Sequence, residues 1–317
     1  MFKLLIRRIL LGVVVTWVVS MMIFAATELL PGDVCHAVLG QGATEKSLEN
    51  CRERLQLDQP MHTRYLQWLG RLVTGELGTS LANDLQIADQ IGARAWNTVR
   101  LAGLTALIAV PLAVILGLIA AIRAESSVDR GISIGTLCFI SVPEFFTGVL
   151  LVYLLAVKLR WLPAVANYRD LTRGDFLDVV EALALPIATL TFAVLAHMTR
   201  MTRAAVLNVM SSPYIEQAIL KGASRRRVII RHALPNSLAP IVNVIALNLA
   251  YLVSGVVVVE AIFRIPGLGT LMVASVIYRD IPTVQAIGML FCVTYVGFNL
   301  LADVMAIIAN PRLRHPR

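Results

Sequence analysis

Six stretches of the chain are too continuously apolar to be the one-sided faces of a soluble fold. They lie near residues 9–30, 97–122, 132–157, 181–202, 237–262 and 283–309. At about 1.5 Å of rise per residue, each is long enough to cross a hydrocarbon layer of about 30 Å. Two polar segments interrupt this rhythm. Residues 31–96 mix polarity in apolar stripes broken by GELGTS at Gly75 to Ser80, a pattern too long and too regular for a bare linker. Short amphipathic helices on the outer surface are the expected form, either meeting an external partner or capping the bundle. Residues 203–236 are polar and basic. The pattern predicts an all-α, polytopic membrane protein with six transmembrane helices, forming one domain over 1–317.

The polar segment has local grammar. Ser212 is placed to accept from first-turn amides, Pro213 suits the first helical position, and Glu216 sits near the positive end of the dipole. Gly222 stops this helix. Ser224 is the expected cap of a second helix opening on Arg225, Arg226 and Arg227, and Pro235 begins the next apolar run. A helix, a break and a helix at the membrane surface follow. Charge alone would read this as a basic loop held at anionic headgroups.

Within the apolar runs, Pro111 and Pro143 each free a backbone carbonyl and bend a helix axis. Glu144, next to Pro143, is costly in a bilayer unless protonated, paired or facing water. It either lines a path and binds an ammonium group, or is a protonated group bonded to a neighbouring helix. Glu260 precedes a turn built on Pro266, Gly267 and Gly269, and is the second candidate for a pathway. Asn243, Asn248 and Asn299 are expected to bond between helices. Arg200 and Arg203 are expected to snorkel to phosphate.

Composition agrees with the pattern: 57% of residues are hydrophobic and 15% charged, with mean hydropathy +0.75. The net charge of +8 is unevenly spread. Lys3, Arg7 and Arg8, Arg123 and Arg130, the 200–231 cluster, and Arg312, Arg314 and Arg317 fall on one side, against only Glu125, Asp129 and Glu216. By the positive-inside rule both termini and the 203–236 segment are cytoplasmic, and 31–96 is external. The basic balance is therefore a topology signal rather than one for nucleic acid. The first run is longer than a usual leader core and no small-x-small site follows it, so it reads as a retained helix.

Cys138 and Cys292 lie in apolar spans, whereas Cys35 and Cys51 share the external segment, where a disulfide is possible. No Cys or His spacing suggests a metal site. The chain has no G-x-x-x-x-G-K-[ST] phosphate loop and no H-E-x-x-H, so it is not read as an enzyme. An ion-coupled secondary transporter is the alternative, although such a protein is expected to carry repeated halves and mid-membrane coupling acids.

Glu216, Ala218 and Gly222, followed by Leu234-Pro235, resemble the EAA loop of ABC-importer permeases, with Gln217 and His232 departing from the usual residues. The order LLPGD, GELGTS, VPEFF, RMTRAAVL, EAIFRIPGLG, RDIPTVQA and NPRLR is similar to the dipeptide and oligopeptide permease family from end to end. The resemblance implies a type I ABC-importer permease of the bacterial inner membrane. It implies a second homologous permease, two ATP-binding subunits carrying ATP and Mg, and a periplasmic solute-binding protein. No cofactor is implied for this chain itself. Glu216, Gln217, Ala218, Lys221 and Gly222 would shape a docking helix, Leu234 and Pro235 would close the motif, and Arg225 to Arg227 would touch the ATPase or the lipid. The cargo implied is a di- or oligopeptide or a related small solute.

Overall fold

The computed structural model describes residues 2–29, 35–36, 43–166, 171, 174–224 and 227–309. Helix α1 (Phe2–Glu28) is followed by two short helices, α2 (Glu45–Leu55) and α3 (Met61–Thr74). The long α4 (Ile87–Ile122) leads to α5 (Ser127–Ile140) and α6 (Glu144–Leu151), which widens into a π-helical turn over Val152–Lys158. Then come α7 (Phe176–Met210), α8 (Pro213–Leu220), a π turn over Val228–Ala233, α9 (Leu234–Phe263), α10 (Leu268–Ile277) and α11 (Ile281–Ala309).

Helices α1, α4, α7, α9 and α11 are each long and apolar enough to cross a membrane. The third expected span differs. The run 132–157 is a bent pair, α5 and α6, meeting at 96°. Pro143 is the cause: it holds φ −57° and ψ 141° as the residue before α6, and its ring keeps the preceding residue out of the helical region. Residues 87–96, expected in the external segment, are continuous with the second span. At 36 residues α4 is about 54 Å long, well beyond the hydrocarbon thickness.

Helices α4, α7 and α9 form the centre, around Leu101, Leu190, Met198, Val256 and Phe263. Without a hydrophobic drive between helices in lipid, such contacts rest on close packing. Gly117 of α4 shows how close: a Cβ there would lie 2.7 Å from Thr202 Cβ and 2.8 Å from the Thr199 carbonyl oxygen of α7. Helices α1 and α11 pair outside this centre. Gln285 donates to Thr27 Oγ1 at 2.7 Å at one end of the pair, and Arg8 meets Asp303 at 3.1 Å at the other. The beginning of α1 and the far end of α11 therefore share the end of the bundle that carries α8.

The opposite end is tied by side chains distant in sequence. Arg64 of α3 grips Glu28 with two hydrogen bonds of 2.8 and 2.6 Å, and Phe24, Tyr65 and Trp68 cluster beneath it. Ser80, the last residue of GELGTS, donates to Asp280 Oδ2 at 2.5 Å, while the Leu81 amide donates to Oδ1 at 3.0 Å. The described part of residues 31–96 is thus helical, as its stripes predict, and packed onto the bundle.

Candidate functional site

Helix α8 stands out because it is short, amphipathic and shows apolar groups to the outside. Its inner side is pinned: Ile215 is fully buried and packs with Val228 and Ala233, with Val209, Met210, Ala218 and Ala223 around them. Its outer side carries Tyr214, Ile219 and Leu220, the last 80% exposed. Glu216, Gln217 and Lys221 are exposed beside them. A surface helix is held rigidly from below and offers apolar side chains above.

The stop of α8 is a paired turn. The Ala223 amide donates to the Ala218 carbonyl at 3.2 Å and the Gly222 amide to Ile219 at 2.9 Å. This is the Schellman arrangement, with Gly222 at φ +78°, where a residue with a Cβ is strained. Ala218 and Ala223 complete the motif's apolar contact. The start of α8 departs from expectation. Pro213 occupies the first turn, but Ser212 gives no side-chain cap; its hydroxyl donates back to the Val209 carbonyl at 2.5 Å.

The second surface helix also differs. Arg225 and Arg226 lie outside the described residues. Arg227 is exposed and begins a segment that runs through the π turn directly into α9. Pro235, in the first turn of α9, has no N–H for the carbonyl four residues back and crowds it, which accounts for the wider turn just before it. Leu234 is half-buried and Pro235 exposed at this junction.

The two acidic candidates occupy unlike environments. Glu260 is fully buried. Its Oε1 accepts from Thr98 at 2.6 Å, and its Oε2 from the amides of Gly269 at 2.7 Å and Thr270 at 3.3 Å. The Leu268 amide donates to Thr98 in turn at 2.9 Å. The carboxylate therefore organises the start of α10, where backbone donors are otherwise unpaired. A Cβ at Gly267 would overlap the Glu260 carboxylate, and one at Gly269 would lie 2.5 Å from Val257 Cα. Glu260, the second pathway candidate, is thus held in a turn by three hydrogen bonds. Glu144 is half-buried at the bend between α5 and α6, with Oε2 buried and without a hydrogen-bond partner.

Cys35 is buried and disulfide-bonded, and Cys138 and Cys292 are free. The side chain of Cys51, the expected partner, lies outside the described residues. Among the described residues no group of His, Cys, Asp or Glu could hold a metal ion.

Two sequence families cover nearly the whole chain. The model of the binding-protein-dependent transport system inner membrane component matches residues 113–315, and that of the N-terminal part of the same membrane component matches residues 1–102. The chain belongs to the binding-protein-dependent transport family. This permease is 34% identical over 98% of both chains to the probable peptide ABC transporter permease protein y4tP of Sinorhizobium fredii. It is 32% identical over 98% of both to the oligopeptide transport system permease protein AppB of Bacillus subtilis. It is 35% identical, over 96% of this chain and 97% of the relative, to the glutathione transport system permease protein GsiC of Escherichia coli. In fold it resembles a chain of the inward-facing MetNI methionine ABC transporter, with TM-score 0.53 and 16% identity, over 69% of this permease and 96% of that chain. It is thus a multi-pass protein of the bacterial inner membrane with an ABC-importer permease fold.

Two site features escaped the sequence reading. Arg203 of this permease does not snorkel: it holds Asp129 at 2.6 and 2.7 Å. The motifs GELGTS, EAIFRIPGLG and RDIPTVQA, read separately along the chain, meet at one end of the bundle. The signal was present only as buried-type polar residues inside each motif.

Proposed function

We propose that α8 is the docking helix through which ATP-hydrolysing partner subunits drive this permease, and that the cargo is a di- or oligopeptide or a related small solute. In this reading the α8 end and both termini face the cytoplasm, and residues 31–96 face the periplasm and a solute-binding protein. A second homologous permease completes the pathway, two ATP-binding subunits supply ATP and Mg chemistry, and residues 203–236 form the coupling loop. One observation carries it: a helix anchored through Ile215 presents Tyr214, Ile219 and Leu220 to the outside at the most basic part of the chain, and so fits a groove on a partner.

Glu216 pairs with a basic group of that partner, and Gln217, Lys221, Arg225, Arg226 and Arg227 border the docked helix. Ala218, Gly222, Leu234 and Pro235 fix its geometry from within. Closure of the ATP-binding subunits pulls α8 and, through Val209 and Met210, the long α7, so the bundle switches as a rigid body.

The test is purification in mild detergent after co-expression with the neighbouring genes, followed by ATP hydrolysis with candidate binding proteins. Co-purification of a second permease and ATP-binding subunits, with hydrolysis stimulated by a peptide-loaded binding protein, is the expected result. A chain that purifies alone and transports on an ion gradient without ATP would overturn it.

A further inference from the structure

Among the described residues, five acids in or beside the spans have side-chain partners. Glu28 has Arg64, Asp129 has Arg203, Glu260 has Thr98 and two amides, Asp280 has Ser80 and Thr283, and Asp303 has Arg8. Glu144 differs from these five, for its Oε2 is buried with no hydrogen-bond partner. Gly255 of α9 faces it: a Cβ there would stand 3.2 Å from Oε2 and 3.3 Å from Leu190 Cδ2. Leu190 lies near the middle of α7, so the carboxylate sits well inside the apolar layer, where an unpaired charge costs a few kcal/mol.

The surroundings specify what would offset that cost. Phe145 and Phe146, next in sequence, and Tyr251, one turn from Gly255, are each about half exposed. An unpaired carboxylate with exposed aromatic residues beside it in the chain and on the facing helix favours a cation. A hard metal ion would demand several oxygen ligands, and only one carboxylate is present. A primary ammonium, with three donors and a compact charge, matches a single carboxylate and ring faces.

We propose that Glu144 is the ammonium-recognising residue of the translocation path, which takes the free amino group of the cargo as it passes the bend between α5 and α6. The proposal rests on the importer reading and adds a preference for amine-bearing cargo that lies in the permease itself. Gly255 leaves room for the carboxylate, which lies at the bend that Pro143 makes between α5 and α6.

The purified complex, without binding protein, is titrated with alaninamide and with N-acetylalaninamide, reading the thermal unfolding midpoint. Alaninamide is expected to raise the midpoint of the wild type and of Glu144→Asp, and N-acetylalaninamide is not. In Glu144→Gln the apparent affinity for alaninamide falls by about tenfold or more, as expected for a lost charge-assisted hydrogen bond. An equal response of wild type to both probes, or an undiminished response of Glu144→Gln to alaninamide, overturns the assignment. Stimulation of ATP hydrolysis by a loaded binding protein is measured on the same preparation. Its absence rejects the importer reading; its presence with an undiminished Glu144→Gln response rejects only the role of Glu144.

Discussion

Arg203 and Asp129 join the far end of α7 to the first turn of α5 by two parallel hydrogen bonds, Nε to Oδ1 at 2.6 Å and an Nη to Oδ2 at 2.7 Å. The Glu125 amide also donates to Oδ2 at 2.9 Å, so one carboxylate fixes both the α4–α5 connection and the approach of α7. Asp129 is buried while Arg203 keeps partial exposure. Arg203→Ala is expected to destabilise the chain by about 3 kcal/mol, because it leaves a buried carboxylate unpaired. Arg203→Lys should recover only part, since a lysine cannot make the fork. Unfolding midpoints of Arg203→Gln, Asp129→Asn and the double variant would check this; strictly additive losses would show that the pair is not coupled.

At Glu260 the expectation is a specific non-additivity. Glu260→Ala strands two amides and the Thr98 hydroxyl, a loss of about 2–4 kcal/mol. Gly267→Ala forces a methyl onto the carboxylate and should cost at least as much. In the double variant the methyl enters space that the carboxylate has vacated. The combined loss is therefore expected to be clearly smaller than the two single losses added, and an additive result in thermal unfolding of the complex would mean the two residues do not share that space.

Asp280 gathers Ser80, the Leu81 amide and Thr283, the last at 2.7 Å. Ser80→Ala removes one donor and should cost about 1 kcal/mol. Asp280→Ala releases all three and should free the Gly75–Gln86 stretch from α11. Limited proteolysis of the purified protein, followed by mapping of the cut sites, distinguishes them: cleavage near Gly78 should quicken in Asp280→Ala and barely change in Ser80→Ala.

Features written in local periodicity were legible: the long apolar runs, the helix from Pro213, and Gly222 as its stop. What the chain does not spell out locally is which polar group meets which. Arg203 read as a lipid-facing cation because nothing in its neighbourhood along the sequence reveals Asp129, 74 residues away. Ser212 carried a strong capping preference, yet the Val209 carbonyl at the end of α7 captured its hydroxyl. Pro143 announced a bend, but its angle of 96° is set by how α6 packs on α7 and α9, where Gly148 meets Thr189 and Phe263.

The division of α8 into an anchoring and an outward face gives the most discriminating expectation. Ile215 is fully buried and Leu220 80% exposed, five residues apart on the same short helix. Ile215→Ala removes packing beneath the helix and should lower stability by about 2–4 kcal/mol. Leu220→Asp touches no core and should leave the unfolding midpoint of the isolated permease within about 0.5 kcal/mol of the wild type. Gly222→Arg falls between them: no atom lies within 4 Å of the added Cβ, but φ of +78° makes a side chain cost about 1 kcal/mol at the stop. If α8 docks, Leu220→Asp and Gly222→Arg should both abolish stimulated ATP hydrolysis and uptake while the permease still folds. Ile215→Ala should reduce activity only in step with its loss of folded protein. Normal, binding-protein-stimulated hydrolysis by a folded Leu220→Asp complex would remove the outer face of α8 from the coupling path.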